Sequence, residues 1–367
     1  MELFPARLYE PIYLLVVTIL TIILAVSIQP KGVIRILKRR HVELLSMVGV
    51  VVFIFIVGFR PVSPFFGDTI NYANTYESFK YATTFNGGAD VLFYRLMYEC
   101  SKVMDVSFFF LIIEILYVVP LYLACRRLAK TNSDLMLLFV FSAFSFFTYS
   151  VNGLRNGVAC SIVLLAMTFI QGKMSDKILC AFLCLIAYNF HHSAALPIVC
   201  MFPALFIKDR RVMFSFWFFS IILSLLAGGA ISSFFAGLGF DDRLDQYLLM
   251  SEEEAESYAS SVGFRWDFLL YSFMPILLGM YVILKKKVYD RTYLLLLGTY
   301  IYANSFWIMV IRSGFSNRFA YLSWFLYPIV LAYPLLKLPI WKHTQGQNTA
   351  IIMLGHLAFT LIMFFLA

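Results

Sequence analysis

The chain has 367 residues, of which 61% are hydrophobic and only 14% charged, with a mean hydropathy of +0.82. An ordinary soluble domain carries roughly 25% charged and 45–50% apolar residues, so a soluble globular protein is excluded. The 39 Phe and 22 Tyr suit a chain that crosses two membrane interfaces many times, and the expectation is an all-α polytopic integral membrane protein.

Apolar runs fall near 11–29, 44–59, 106–124, 134–150, 154–171, 178–191, 194–207, 212–231, 266–284, 292–311, 319–336 and 349–366. Measured against a hydrocarbon core of about 30 Å, they predict about 12 transmembrane helices, with a range of roughly 11 to 13. The uncertain pair is 178–191 and 194–207, which reads as two tilted spans or a re-entrant hairpin. The first run follows Glu2, Arg7 and Glu10 and precedes Lys31, Arg35, Lys38, Arg39 and Arg40. That charge order is the reverse of a secretory signal, so the run is expected to be a retained span. Cys100, Cys125, Cys160, Cys180, Cys184 and Cys200 lie in or beside apolar runs. They show neither CxxC nor Cys/His ligand spacing, which indicates packing rather than a disulfide framework or a zinc site.

Alternating the connections places 19 of the 29 Lys and Arg on one side, which the positive-inside rule makes cytoplasmic. The net charge of +8 is therefore a topology signal. With no basic tail or block longer than three residues, nucleic acid is not an expected partner. Both termini then face outward. The organisation is one transmembrane domain over 1–367 with two larger outward loops, 60–105 and 232–265. The first holds Gly67-Asp68-Thr69 and a mixed aromatic and polar stretch through Tyr98, expected to form short interfacial helices. The second holds Asp241, Asp242, Asp245 and the run Glu252, Glu253, Glu254, Glu256. There is no fixed-period repeat to advertise an inverted-repeat transporter. No Asn-x-Ser/Thr acceptor occurs, which is easier to reconcile with a bacterial cytoplasmic membrane than with a eukaryotic secretory route.

Polar groups at membrane depth cost several kcal/mol unless satisfied, so each calls for a functional reading beside a structural one. Arg60 ends the second run, Arg155 opens the fifth, His191 and His192 end the sixth, and Arg312 and Arg318 bracket the turn between the tenth and eleventh. Taking 172–177 as the turn between two helices, rise alone puts Arg155 and His191 roughly 26 and 21 Å up, on one level. A neutral imidazole near pH 7 can take a proton from a hydroxyl. For His191 and His192 this role stands level with simple snorkelling and helix-end bonding, and at most one of two adjacent helical residues faces a shared cavity. A lone Arg at an interface is an anchor. Several on one face gain a role as bidentate binders of phosphate oxygens. Asp68 reads first as a helix N-cap after a Gly turn, with base, hydroxyl acceptor or Arg60 partner as its functional readings. Glu114, in mid-span, is the best feature for a proton-coupled transporter, and spacing does not name its partner.

Val57-Gly58-Phe59-Arg60-Pro61, then Gly67-Asp68-Thr69-Ile70-Asn71-Tyr72 and Tyr76, resemble the G-x-R…G-x-D-T-x-N-Y signature of the EpsG branch of Wzy-type bacterial polysaccharide polymerases. Leu154-Arg155-Asn156-Gly157-Val158-Ala159 is similar to that family's R-Q-x-x-A, with Asn156 in place of Gln. Phe190-His191-His192-Ser193-Ala194 resembles its F-H-x-S-A and selects His191 over His192. Arg318 and Tyr321 resemble an R-x-x-Y near its C-terminal spans. The resemblance implies a GT-C-like membrane glycosyltransferase. It would join undecaprenyl-diphosphate-linked oligosaccharide repeat units on the outer face of the cytoplasmic membrane, without cofactor or metal, and make O-antigen, capsule or exopolysaccharide. The lipid-linked growing chain would be the donor and a fresh lipid-linked unit the acceptor, with a chain-length regulator and a flippase as partners.

In that reading His191, Arg155 and Asp68 are the catalytic candidates. Arg60, Arg318, Thr69, Asn71, Tyr72, His192 and Tyr321 are the diphosphate- or substrate-binding candidates, and Tyr72, Tyr76 and Tyr94 could stack on sugar faces. Two rivals remain. One is a transporter or flippase for lipid-linked sugars, dependent on Glu114. The other is a membrane O-acyltransferase pairing Asn152 with His191.

Overall fold

A computed structural model describes residues 3–28, 39–207, 209–236, 263–313 and 316–366. Helix accounts for 81% of these, and no strand occurs among them. The acidic stretch 241–256 of the second expected loop lies outside the described residues. By length and composition six helices can cross a membrane: Ala6–Ser27, Val106–Phe141, Arg210–Ile231, Trp266–Lys285, Ser316–Lys337 and Gln345–Leu366. Shorter apolar helices cover Ser46–Gly58, Leu154–Met167 and His192–Phe206.

The described chain forms two compact units. The first comprises Met1–His191 with Ala332–Ala367 and the second His192–Leu331. The first unit holds α1 (Tyr9–Ser27), α2 (Arg39–Gly58), α3 (Thr69–Tyr81), α4 (Val91–Ser101), α5 (Val106–Ala129), α6 (Ser133–Phe141), α7 (Phe146–Val151), α8 (Leu154–Met167) and α9 (Met174–Phe190). The second holds α10 (Ala195–Phe206), α11 (Arg210–Ala236), α12 (Trp266–Met280), α13 (Arg291–Met309) and α14 (Ser316–Trp324). The helix α15 (Tyr327–Lys337) runs across the division, and α16 (Gln345–Leu366) returns to the first unit.

The stretch 60–105 carries two short helices, α3 and α4. The apolar run 134–150 is broken between α6 and α7, and 319–336 between α14 and α15. The short pair near residue 191 forms two helices. At 1.5 Å per residue α10 is only about 18 Å long, well short of a full crossing.

In the first unit α5 is central, packing against α2, α3, α4, α6 and α8. Between apolar helices in lipid there is little hydrophobic gain, so close contact relies on small residues. Gly58 of α2 lies so near α5 that an added Cβ would sit 2.9 Å from Leu111 Cα. Gly157 of α8 meets the Tyr149 carbonyl in the same way, at 2.9 Å. Two side-chain contacts show the direction of α8 along α5: Ser161 Oγ, which donates to the Val158 carbonyl at 2.8 Å, lies 3.4 Å from the Leu116 carbonyl, and Arg127 Nε donates to Thr168 Oγ1 at 2.9 Å. The two helices therefore run parallel, with Arg155 at one end of the unit and the α5–α6 turn at the other.

The second unit is organised by α13, against which α10, α11, α12 and α14 pack. Its buried centre is polar. Asn304 accepts from Trp217 Nε1 at 2.8 Å and donates to Ser272 Oγ at 3.2 Å and Ser323 Oγ at 3.1 Å. Trp324 Nε1 donates to the same Ser272 hydroxyl at 2.8 Å. One amide thereby joins four helices where lipid offers no substitute partner. Asn304→Ala removes three interhelical bonds and should lower stability by about 2 kcal/mol, read as a drop in the unfolding midpoint of the detergent-solubilised protein. An unchanged midpoint would show that the amide holds nothing together.

Candidate functional site

The site is built within the first unit, starting from the turn before α3. Gly67 has φ +57, a region that favours glycine, and an added Cβ would lie 2.4 Å from Asn152 Oδ1. That same oxygen accepts the Asp68 amide at 2.9 Å. Thr69 Oγ1 is shared between the Phe66 carbonyl at 3.1 Å and the Val151 carbonyl at 2.9 Å. From the other side, Ser150 Oγ donates to Glu114 Oε1 at 2.6 Å. Residues 150–152 are thus clamped between the α3 turn and α5 just before α8 begins, and Arg155 lies in the first turn of α8.

Arg155 Nη1 makes a short charge-assisted hydrogen bond to Asp90 Oδ2, and its Nε donates to the Tyr72 hydroxyl at 3.3 Å. The guanidinium carbon lies 5.6 Å from the Tyr94 ring centre and 6.0 Å from that of Tyr72, within cation–π range. His191 ends α9 in an extended conformation, φ −158 and ψ 116. Its Nδ1 lies 3.1 Å from the same Asp90 oxygen. Side-chain exposure is 4% for Asp90 and 16% for Arg155 and for His191. A carboxylate buried this far is stable only when paired. Burial pushes the Tyr72 hydroxyl up from its usual range, with the Arg155 guanidinium countering, so Tyr72 keeps its proton while accepting from Arg155.

Asp68 sits one turn before Tyr72 on the same face of α3, near enough for its charge to act on the Tyr72 hydroxyl. It occupies the N-cap position without a side-chain cap bond, and it receives the exposed Asn71 amide at 3.3 Å. Tyr94, the second ring within range of the guanidinium, completes the set.

Other expected positions lie elsewhere. Thr69 is fully buried and spends its hydroxyl on two carbonyls, so it ties α3 to α7 and presents nothing outward. Tyr76, also fully buried, donates to the Met104 carbonyl at 2.7 Å. Arg60, expected on the outer surface, is turned inward. It is 1% exposed, donates to the Val57 carbonyl at 2.9 Å, and lies 4.8 Å from the Phe110 ring centre. The opposite charge acting on it is Glu114, fully buried in α5. Asn152 is committed to Asp68 and His191 to Asp90, so the pairing an O-acyltransferase would need is not formed. His192, Arg318 and Tyr321 belong to the second unit. There Arg318 is exposed, while Tyr321 is 9% exposed with its ring 5.6 Å from Trp324.

The residue that sequence reasoning missed is Asp90. Ahead of the apolar-periodic run beginning at Val91 it reads as a helix N-cap, and indeed it holds that position in α4 without a side-chain cap bond. Its only sequence signal is the pair Gly87-Gly88, which marks a turn and not a charge site. Among the described residues no group of three His, Cys, Asp or Glu is arranged to hold a metal ion.

An all-helical chain with several helices long and apolar enough to span a bilayer is a membrane protein. The EpsG family profile matches residues 43–367, and the chain belongs to this family, that of Wzy-type polysaccharide polymerases. No curated protein and no solved structure matches it.

Asp90→Ala leaves the Arg155 charge unpaired and should cost about 3 kcal/mol, measured as a lowered unfolding midpoint. Removing Arg155 as well should recover part of that loss, since the two residues form one unit. Additive losses in the double variant would mean that the pair is not coupled.

Proposed function

We propose that the chain polymerises lipid-diphosphate-linked oligosaccharide repeat units by glycosyl transfer on the outer face of a bacterial cytoplasmic membrane. What supports this reading most is the single Asp90 oxygen that Arg155 and His191 share. It places a fixed cation and a titratable base side by side, on a family background of polysaccharide polymerases.

The chemistry divides between them. Arg155 uses Nη1 and Nε on Asp90 and Tyr72, which leaves Nη2 to meet a diphosphate oxygen. As the bond between the anomeric carbon and the diphosphate oxygen breaks, charge grows on the leaving group. One preorganised donor there is worth about 3 kcal/mol in the transition state. The acceptor sugar hydroxyl forms the new glycosidic bond, and its proton passes to His191. With Nδ1–H donated to Asp90, the other ring nitrogen, Nε2, holds a lone pair for that proton. Orienting the ring this way is what a buried carboxylate does for an imidazole base. Asp90 is then a positioning residue, and Asp68, Asn71, Tyr72 and Tyr94 supply hydroxyl, amide and ring surfaces for sugars. Arg318, Tyr321 and His192 remain candidates for substrate contacts of the second unit.

The test is purified protein in proteoliposomes with a lipid-diphosphate repeat unit, the products being resolved on a gel. A ladder is expected from the natural sequence. His191→Ala and Asp90→Asn should each reduce chain extension by about a hundredfold, the low end for an acid–base group. Arg155→Lys should also be impaired, because an ammonium lacks the planar fork. Normal ladders from inserted, folded His191→Ala and Arg155→Lys would remove both residues from the reaction. Glu114→Gln keeps an acceptor for Ser150 and should retain the ladder, whereas a proton-coupled transporter would lose its activity with that change.

A further inference from the structure

At the end of the first unit opposite Arg155 there is a cavity of about 360 Å³. It lies where helices stop and start. Ile28 follows α1, Asn132 precedes α6, Lys337 ends α15 and Gln345 begins α16. The distance from the Arg155 site follows from α8 alone: thirteen residues from Arg155 to Thr168 make roughly 20 Å, and Thr168 is bonded to Arg127 near the end of α5.

The walls are built, not incidental. Gln345 Nε2 donates to the Leu335 carbonyl at 2.6 Å and the Leu338 carbonyl at 3.2 Å, while its Oε1 accepts the Trp341 amide at 2.9 Å. Asn132 Nδ2 donates to the Leu336 carbonyl at 3.2 Å. These bonds fold the turn between α15 and α16 into a cradle. The charges lining it are Lys337 and Lys342, and among the described residues lining it none is acidic. The first-turn amides of the 22-residue α16 add to the positive potential.

We infer that this cavity binds the headgroup of an anionic phospholipid. Two lysines without a competing carboxylate fit a phosphodiester anion, and basic pockets between membrane helices take such headgroups. A lipid fits better than free phosphate. The cavity sits at the ends of Ala6–Ser27, Ser316–Lys337 and Gln345–Leu366, all long and apolar enough to cross a bilayer, beside an indole at Trp341 of the kind that marks membrane interfaces. The site is separate from the Arg155 site, and its occupancy does not depend on what reaction occurs there.

The experiment is native mass spectrometry of the full chain released from nanodiscs of equal phosphatidylglycerol and phosphatidylethanolamine. The natural sequence should retain phosphatidylglycerol at least fivefold over phosphatidylethanolamine, a ratio of about 1 kcal/mol. Lys337→Gln/Lys342→Gln should abolish the preference, and Lys337→Arg/Lys342→Arg should keep it, with unfolding midpoints confirming that all three are folded. Millimolar inorganic phosphate should leave retention unchanged. Equal retention of both lipids by the natural sequence, an unaltered preference in the Gln variant, or displacement by inorganic phosphate would each overturn the proposal.

Discussion

One carboxylate carries the arrangement at the Arg155 end. Asp90 is 4% exposed and its Oδ2 meets both the Arg155 guanidinium and the His191 ring. A buried carboxylate without partners would protonate or pull water in, so the cation and the imidazole are held there by the cost of leaving it alone. Because both partners meet the same oxygen, a displacement of either is felt by the other. Helices α3, α4, α8 and α9 each contribute a group, so the charge cluster also closes the end of the unit.

The clamp on residues 150–152 gives that cluster its reach. Arg155 can meet Asp90 only if α8 starts in the right place, and its start is fixed by Asn152 under the Gly67 turn, by Thr69 on the Val151 carbonyl and by Ser150 on Glu114. Glu114 is a carboxylate at membrane depth, which makes it a conspicuous functional candidate. In the fold it faces Ser150 and the charge of Arg60, both in the interior. Arg60 and Glu114 occupy the same unit as the Asp90 cluster without joining it, and both are buried in its interior.

The two units solve the problem of packing in lipid differently. The first relies on glycine contacts between α2, α5 and α8 and on ring contacts such as Phe141 tilted against Phe146 at 4.6 Å. The second relies on a buried amide shared by four helices. Both follow from the absence of a solvent-driven force between apolar helices, which leaves close approach and hydrogen bonds to select one arrangement.

The amino-acid sequence by itself determined the helical class, the membrane setting and the family, while its expectation of about 12 spans stands against six helices long and apolar enough to cross. Each of these is written in local quantities: apolar run length, charge order and short motifs such as Phe190-His191. It also set Arg155 and His191 on one level, because helical rise is a property of the chain alone. Only the tertiary structure decided which groups meet. It brought Asp90 from 65 residues before Arg155 to bridge Arg155 and His191, and turned Arg60 inward to the Val57 carbonyl and the Phe110 ring. It also committed Thr69 to backbone carbonyls. The physical reason is that side-chain pairing depends on helix rotation and on loop path, and an 18% aromatic, 61% apolar chain offers too uniform a surface for periodicity to reveal either. A lone Asp before a helix looks like a cap until the fold shows what its carboxylate touches.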